Sequence, residues 1–352
     1  MLANWWIAAL GAMAPAVAMT PNGGSDVAPA AVSARVTGRF VNGEFTSDAG
    51  TRRWKLWVPR DYDASARHPL VVMLHGCTQD PDDLARGTRV TDHADRLSVL
   101  VVFPEQPESA NPKKCWNWYD PAHQRRDAGE PALIAGITRQ VMSAWSVEQQ
   151  RVYVAGISAG AAMAATVGIT YPDVYAAVAL HSGIPFGAAG NVMQGVSVMT
   201  NGAPDTSALA RLAVDAMGAR KRPIPAFIVH GANDPVVRPV NAMQTRDAWV
   251  TMNALARGER GTPPAPPLEA GRVFDAQAGG LEFRRECHGK QTSGLHCEVE
   301  TLTVVGLGHA WSGGSRLGTF TDERGPDATA EILAFLLAHP MPAIGAPNAG
   351  RP

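Results

Sequence analysis

The chain has 352 residues, 45% of them hydrophobic and 18% charged, which supplies a sizeable core and argues against wholesale disorder. Its formal net charge is −1, and Lys and Arg are scattered with no basic stripe, so no nucleic-acid partner is expected. Length alone allows two domains, but an α/β fold of this size is commonly one.

The N-terminus, "MLANWWIAALGAMAPAVAMTPNGGS", carries an apolar run from Trp5 to Val17 that closes on Ala16-Val17-Ala18. Residues 1–18 therefore read as a signal peptide, and the protein is expected to be secreted, into the medium or the periplasm. The run is too short for a membrane span, which needs about 20 apolar residues. No Lys or Arg precedes it, the one feature that favours a plain apolar extension instead.

"GRFVNGEFTS" and "RRWKLWVPRDY" predict an opening antiparallel pair, with Trp54 and Trp57 in the core. "HPLVVMLHG" is a continuous apolar run stopped by Gly76, the pattern of a buried strand. Asp80 and Pro81 then start a helix with capping chemistry. "LSVLVVFPEQ" is a second buried strand, and "EPALIAGITRQVMSAW" is an amphipathic helix with Leu133, Ile137 and Val141 on one face. "RVYVAGISAG" runs as a strand into Ser158, between Gly156 and Gly160, and the small residues "AAMAATVGI" continue as a helix. Strands at "YAAVALHSG" and "IPAFIVHG", a helix near 240–256, a hairpin ending in "LTVVGLGH" and a last helix in "DATAEILAFLLAHP" follow. The Pro-rich stretch 261–271 is expected to be a surface loop, and residues 341–352 a disordered tail. Parallel strands need crossovers and these helices supply them, so the fold class is α/β, in one catalytic domain over 33–340.

The four cysteines are even in number, as disulfide pairing requires. Cys287 and Cys297 bracket a hairpin-like segment and can bridge. The neighbouring His288 and His296 make a zinc set the alternative, although adjacent Cys-His pairs are not its usual spacing. Cys77 and Cys115 remain as a second pair.

A G-x-S-x-G spelling is weak alone, so its context decides. A serine on a tight strand-to-helix turn sits at the carboxyl edge of the sheet, and the flanking glycines relieve crowding there. A serine hydroxyl is a poor nucleophile unless a base and an orienting acid follow. Asp234 lies in the loop after "AFIVHG", and His309 in the loop after "LTVVG". Asp215 falls mid-helix and Asp275 in a segment read as irregular. His75 and His230 are expected to hold loop backbone, as is His181, which stays close to the elbow. The oxyanion donors expected are the amide of Ala159 and that of Cys77 or Thr78. A Cys77–Cys115 bridge would fix that loop against "CWNWYD". Trp116, Trp118 and Trp311 adjoin these loops, and an aromatic substrate wall and ordinary packing are both open readings for them. No cofactor and no metal is required.

Taken together, "LHGCTQDPDDLARGT", "FPEQPESANPKKCWNWYDPAHQRRDAGEPALI", "VYVAGISAGAAMA", "LHSGIPFGAA", "VHGANDPVV" and "GHAWSGG…GTFTDERGPDA" resemble the poly(3-hydroxybutyrate) depolymerase family of α/β-hydrolase esterases. The resemblance runs from about residue 35 to 338. It implies an α/β-hydrolase fold with a mostly parallel central sheet, Ser158 as nucleophile, Asp234 as acid, His309 as base and the Cys77 amide as oxyanion donor. It implies hydrolysis of polyester or small ester substrates without a cofactor. Feruloyl and acetylxylan esterases belong to the same broad family, so plant-wall esters are the alternative substrate.

Overall fold

Apolar and polar residues alternate along β1 (Arg39–Ser47) and β2 (Gly50–Val58), and the two pair antiparallel from Arg39 opposite Val58 to Ser47 opposite Gly50. One face of this ribbon meets the core through Trp54, Leu56 and Val58. The structure, a computed structural model, describes residues 37–259, 273–292 and 296–342. The signal-peptide segment, the Pro-rich stretch 261–271 and residues 343–352 lie outside the described residues.

The central strands are β3 (His68–Leu74), β4 (Leu100–Pro104), β5 (Val147–Ile157), β6 (Val178–His181) and β7 (Ala226–Gly231). They are followed by β8 (Val273–Ala278), β9 (Leu281–Gln291) and β10 (Cys297–Val304). Together they form a 10-stranded sheet in the order β1-β2-β4-β3-β5-β6-β7-β10-β9-β8. The run from β4 to β10 is parallel, and both margins are antiparallel. All residues of β3 and β4 are buried, as strands covered on both faces require.

The strands are connected through α1 (Pro81–Thr88), α2 (Val90–Leu97), α3 (Gly129–Ala144), α4 (Ala159–Thr170), α5 (Val192–Asn201), α6 (Thr206–Met217) and α7 (Val240–Ala256), and α8 (Ala328–Ala338) follows the last strand. Successive side chains of β3 feed two separate cores. Leu70, Val72 and Leu74 pack with α3 and α4, whereas Val71 and Met73 pack with α1, α2 and α8. Helix α4 is buried at every position, which explains why its sequence is small and apolar all round. This is the α/β-hydrolase architecture.

Two local expectations are corrected. Asp275 is not in an irregular segment: it lies in β8, paired to Arg284 of β9 at 2.7 Å. The helix α5 was not foreseen at all. It starts on an Asn191 cap, and its sequence, "VMQGVSVMTN", carries no charge and a buried glycine.

Candidate active site

Ser158 closes β5 and opens α4 with φ 57° and ψ −122°, a conformation that side-chain-bearing residues rarely adopt. The chain can turn there because the residues two places before and after it, Gly156 and Gly160, have no side chain. A Cβ on Gly156 would come within 2.5 Å of the Gly160 backbone. One on Gly160 would strike the carbonyls of Leu74 and His75. The second contact brings the N-terminus of α4 against the end of β3, where the loop 75–79 begins. The Ser158 amide is spent on the His181 carbonyl at 2.9 Å, which fixes the turn to β6.

The loops after β7 and β10 are stitched together. Ala232 donates to the Val304 carbonyl at 2.9 Å and Asn233 to that of Leu307 at 3.0 Å. Gly231 permits this crossing, since a Cβ there would collide with the Leu307 and Gly308 carbonyls. Asp234 is thereby held 2% exposed, its Oδ1 accepting from the Val236 and Val237 amides, both at 2.9 Å. Its Oδ2 lies 2.7 Å from Nδ1 of His309, and Nε2 of His309 lies 3.0 Å from Oγ of Ser158. An ionised carboxylate accepts only, so Nδ1 of His309 carries the proton and Nε2 presents its lone pair to the serine hydroxyl. Burial pushes the Asp234 carboxyl up, but the bond and charge of His309 and the Val237 amide outweigh it and leave the group below its ordinary range.

Thr78 is in the left-handed region at φ 65°, and its amide donates to the Lys113 carbonyl at 2.6 Å. That leaves the Cys77 amide, rather than that of Thr78, uncommitted among the described residues beside the first amide of α4, Ala159. Two donors at a helix start and an adjoining loop can receive the negative carbonyl oxygen of a substrate bonded to Oγ of Ser158. Cys77 is joined to Cys115, with Cα atoms 4.1 Å apart, tying this loop to the segment 115–119. Cys287 is joined to Cys297 across the β9–β10 hairpin, Cα atoms 5.6 Å apart. His296 is engaged by Glu300 at 3.0 Å, and no cluster able to hold a metal ion occurs among the described residues.

The three tryptophans do not line an open wall. Trp116 is 0% exposed and donates to the His75 carbonyl at 3.1 Å. Trp311 is 1% exposed, donates to Thr329 Oγ1 at 3.0 Å and stacks on His181 with centroids 4.8 Å apart. Trp118 is also buried, packed on Gly195 of α5. An indole N–H must be bonded when it is buried, and these bonds turn Trp116 and Trp311 inward as braces behind the 75–79 and His309 loops. His75 and His230 hold backbone, His75 through Gly76 O and the Gln106 amide, His230 through Val237 O at 2.8 Å. His181 accepts from the Ser312 amide at 3.3 Å and does not touch Ser158 or Asp234 through its ring nitrogens.

Two features escaped the sequence reading. The Phe320 ring stands 6.3 Å from that of His309, edge-on and half-exposed, at a residue with positive φ. Glu130, fully buried, joins the segments of Gln106 and Asn117 behind the 75–79 loop. The signal for Glu130 was present: it sits on the same stripe as Leu133, Ile137 and Val141, an acid where the pattern calls for an apolar residue.

Comparison with known proteins places the chain among esterases. The family model described as Esterase PHB depolymerase matches residues 53–262. Poly(3-hydroxyalkanoate) depolymerase C of Paucimonas lemoignei is 31% identical over 274 residues, 75% of this chain and 60% of that protein. Feruloyl esterase B of Neurospora crassa is 33% identical over 134 residues, 38% of this chain and 44% of that protein. The chain thus spans about half to three-fifths of the length of these two curated relatives. Among solved structures, the acetyl xylan esterase from Aspergillus awamori superposes with a TM-score of 0.61 at 20% identity, over 76% of this chain and 94% of that one. The chain belongs to the esterase PHB depolymerase family.

Proposed function

We propose that this protein is a serine carboxylic-ester hydrolase that cleaves poly- or oligo(3-hydroxyalkanoate) esters. The observation that carries the reading is the unbroken hydrogen-bonded line from Oγ of Ser158 through His309 to Asp234. As Oγ attacks the ester carbonyl carbon, Nε2 of His309 takes its proton, and the charged imidazolium is stabilised by Asp234, which stays ionised. The carbonyl oxygen becomes an oxyanion between the Cys77 and Ala159 amides. On collapse the alkoxide leaves with the proton from His309, and the acyl group stays on Ser158. Water then repeats the sequence, with His309 as base, and the free acid departs.

The polyester substrate is supported by the depolymerase relative, and secretion by two disulfides in one chain. A fluorophosphonate should label Ser158 and no other serine. Incubation with amorphous poly(3-hydroxybutyrate) should release hydroxybutyrate and its oligomers. Release of ferulate or acetate from feruloylated or acetylated xylan, with the polyester untouched, would replace the substrate half of the proposal.

A further inference from the structure

We propose that Glu130 is a positioning residue for the oxyanion donor Cys77, an assignment that rests on the nucleophilic role of Ser158 given above. Glu130 stands in the first turn of α3 with its side chain fully buried, and two segments end on its carboxylate. Asn117 contributes its amide to Oε2 at 2.7 Å and its side-chain Nδ2 to Oε1 at 2.6 Å. Gln106, at the end of the β4 strand segment, contributes Nε2 to Oε1 at 2.5 Å.

These same two segments hold the oxyanion loop. The Gln106 amide donates to Nε2 of His75 at 3.0 Å, and its side chain donates to the Cys115 carbonyl at 3.0 Å. Cys115 is covalently joined to Cys77, and the Trp116 indole grips the His75 carbonyl. Glu130 therefore sits where every tether of residues 75–77 from the 105–117 side converges. Arg52 approaches its Oε1 at 3.7 Å and donates to Gln106 Oε1 at 3.0 Å, which partly neutralises the buried charge. A buried ion pair is poor as a source of stability, since apolar packing serves as well or better. What a carboxylate supplies here is acceptor capacity alone, with three donors aimed at it. An amide in its place has one oxygen and one NH2. With the oxygen at the Oε1 position the Asn117 amide faces an NH2, and with it at the Oε2 position both Gln106 and the Asn117 side chain do. In either case the tie between Gln106 and Asn117 is weakened.

An oxyanion donor acts on the transition state and leaves ground-state ester binding alone. Glu130→Gln should lower kcat for p-nitrophenyl acetate by about 10- to 100-fold, short of the loss on deleting a donor outright, with KM within about twofold. Affinity for a trifluoromethyl ketone, whose serine adduct carries an oxyanion, should fall by the same factor. Asn117→Ala, on the half-buried end of the tie, should show the same pairing of losses to a smaller degree, and the double variant should be no worse than Glu130→Gln. It carries the test if Glu130→Gln does not fold. Unchanged kcat and ketone affinity in a folded variant, or a rise in KM alone, would overturn the assignment while wild-type labelling of Ser158 kept the nucleophile in place. If the wild-type protein takes neither fluorophosphonate nor ketone, the reading of Ser158 fails and the role of Glu130 with it.

Discussion

At Ser158 two demands collide. The hydroxyl must stand clear of the sheet, and the backbone reaches that geometry only through a positive φ of 57°. Serine and alanine suffer this equally, because both carry a Cβ. Ser158→Ala should therefore leave urea stability unchanged while ester hydrolysis drops by about 10³-fold or more. Ser158→Gly should be equally inactive but more stable, by about 1 kcal/mol, since relief of the strain exceeds the extra freedom glycine gives the unfolded chain. Equal urea midpoints for the alanine and glycine variants would show that the elbow is not strained in solution. Activity of Ser158→Ala within tenfold of the parent would remove the serine from the chemistry.

At the scale of elements, the loops that carry the chemistry are held by aromatic braces beneath them. Trp311, in a two-residue strand with no free face, joins the His309 loop to α8 through Thr329 and to β6 through His181. Trp311→Ala should destabilise the fold by about 3–5 kcal/mol, the range for emptying a large buried aromatic site. KM for hydroxybutyrate oligomers and for p-nitrophenyl acetate should then change alike, because the ring meets neither substrate. A selective rise in KM for the oligomer would return Trp311 to the rim. The contrast between Ser158 and Trp311 marks what the sequence can carry. Ser158 follows β5 at once and Asp234 and His309 lie in the loops after β7 and β10, and strand ends in a parallel sheet converge on one edge, so local pattern and topology bring these side chains together. Where the ring of Trp116 or Trp311 points depends on partners such as His75 and Thr329, far along the chain or on another element, and no local pattern encodes that. Helix α5 was invisible for another reason: it carries no charge, and Val192, Met193 and Val196 stand exposed, so its apolar residues mark no single buried stripe. Asp275 sits in "VFDAQA" of β8, where Asp and Ala are poor strand formers, so that segment carried no strand-like signature.

Across the whole molecule the loops rest on neutral, buried histidines, and this ties stability to pH independently of catalysis. Burial pushes His75 down to about 4 and His181 to about 3, from an ordinary value of 6.5, and moves His230 and His339 in the same direction. In the unfolded chain these imidazoles take up protons near pH 6.5, whereas in the folded protein His75 and His181 resist until pH 3–4. Between those limits the unfolded state binds more protons, so the stability they contribute is complete above about pH 6.5 and is lost as pH falls toward 4. A downward displacement of about 2.5 to 3.5 pH units on one histidine corresponds to about 3–5 kcal/mol at most. Carboxylates held low, such as Asp234 and Asp327, begin to protonate only below their ordinary 3.8 and add nothing to this window. The urea midpoint of Ser158→Ala, in which no acyl chemistry intervenes, should therefore drop steadily between pH 7.5 and 5 at constant slope m. Exchanging His75 for Gln should flatten part of that drop, while lowering stability at pH 7.5 through loss of the Gly76 and Gln106 contacts. A midpoint that stays level from pH 7.5 to 5 would mean that these imidazoles titrate normally in the folded protein, and that the loops under the active site are open to water.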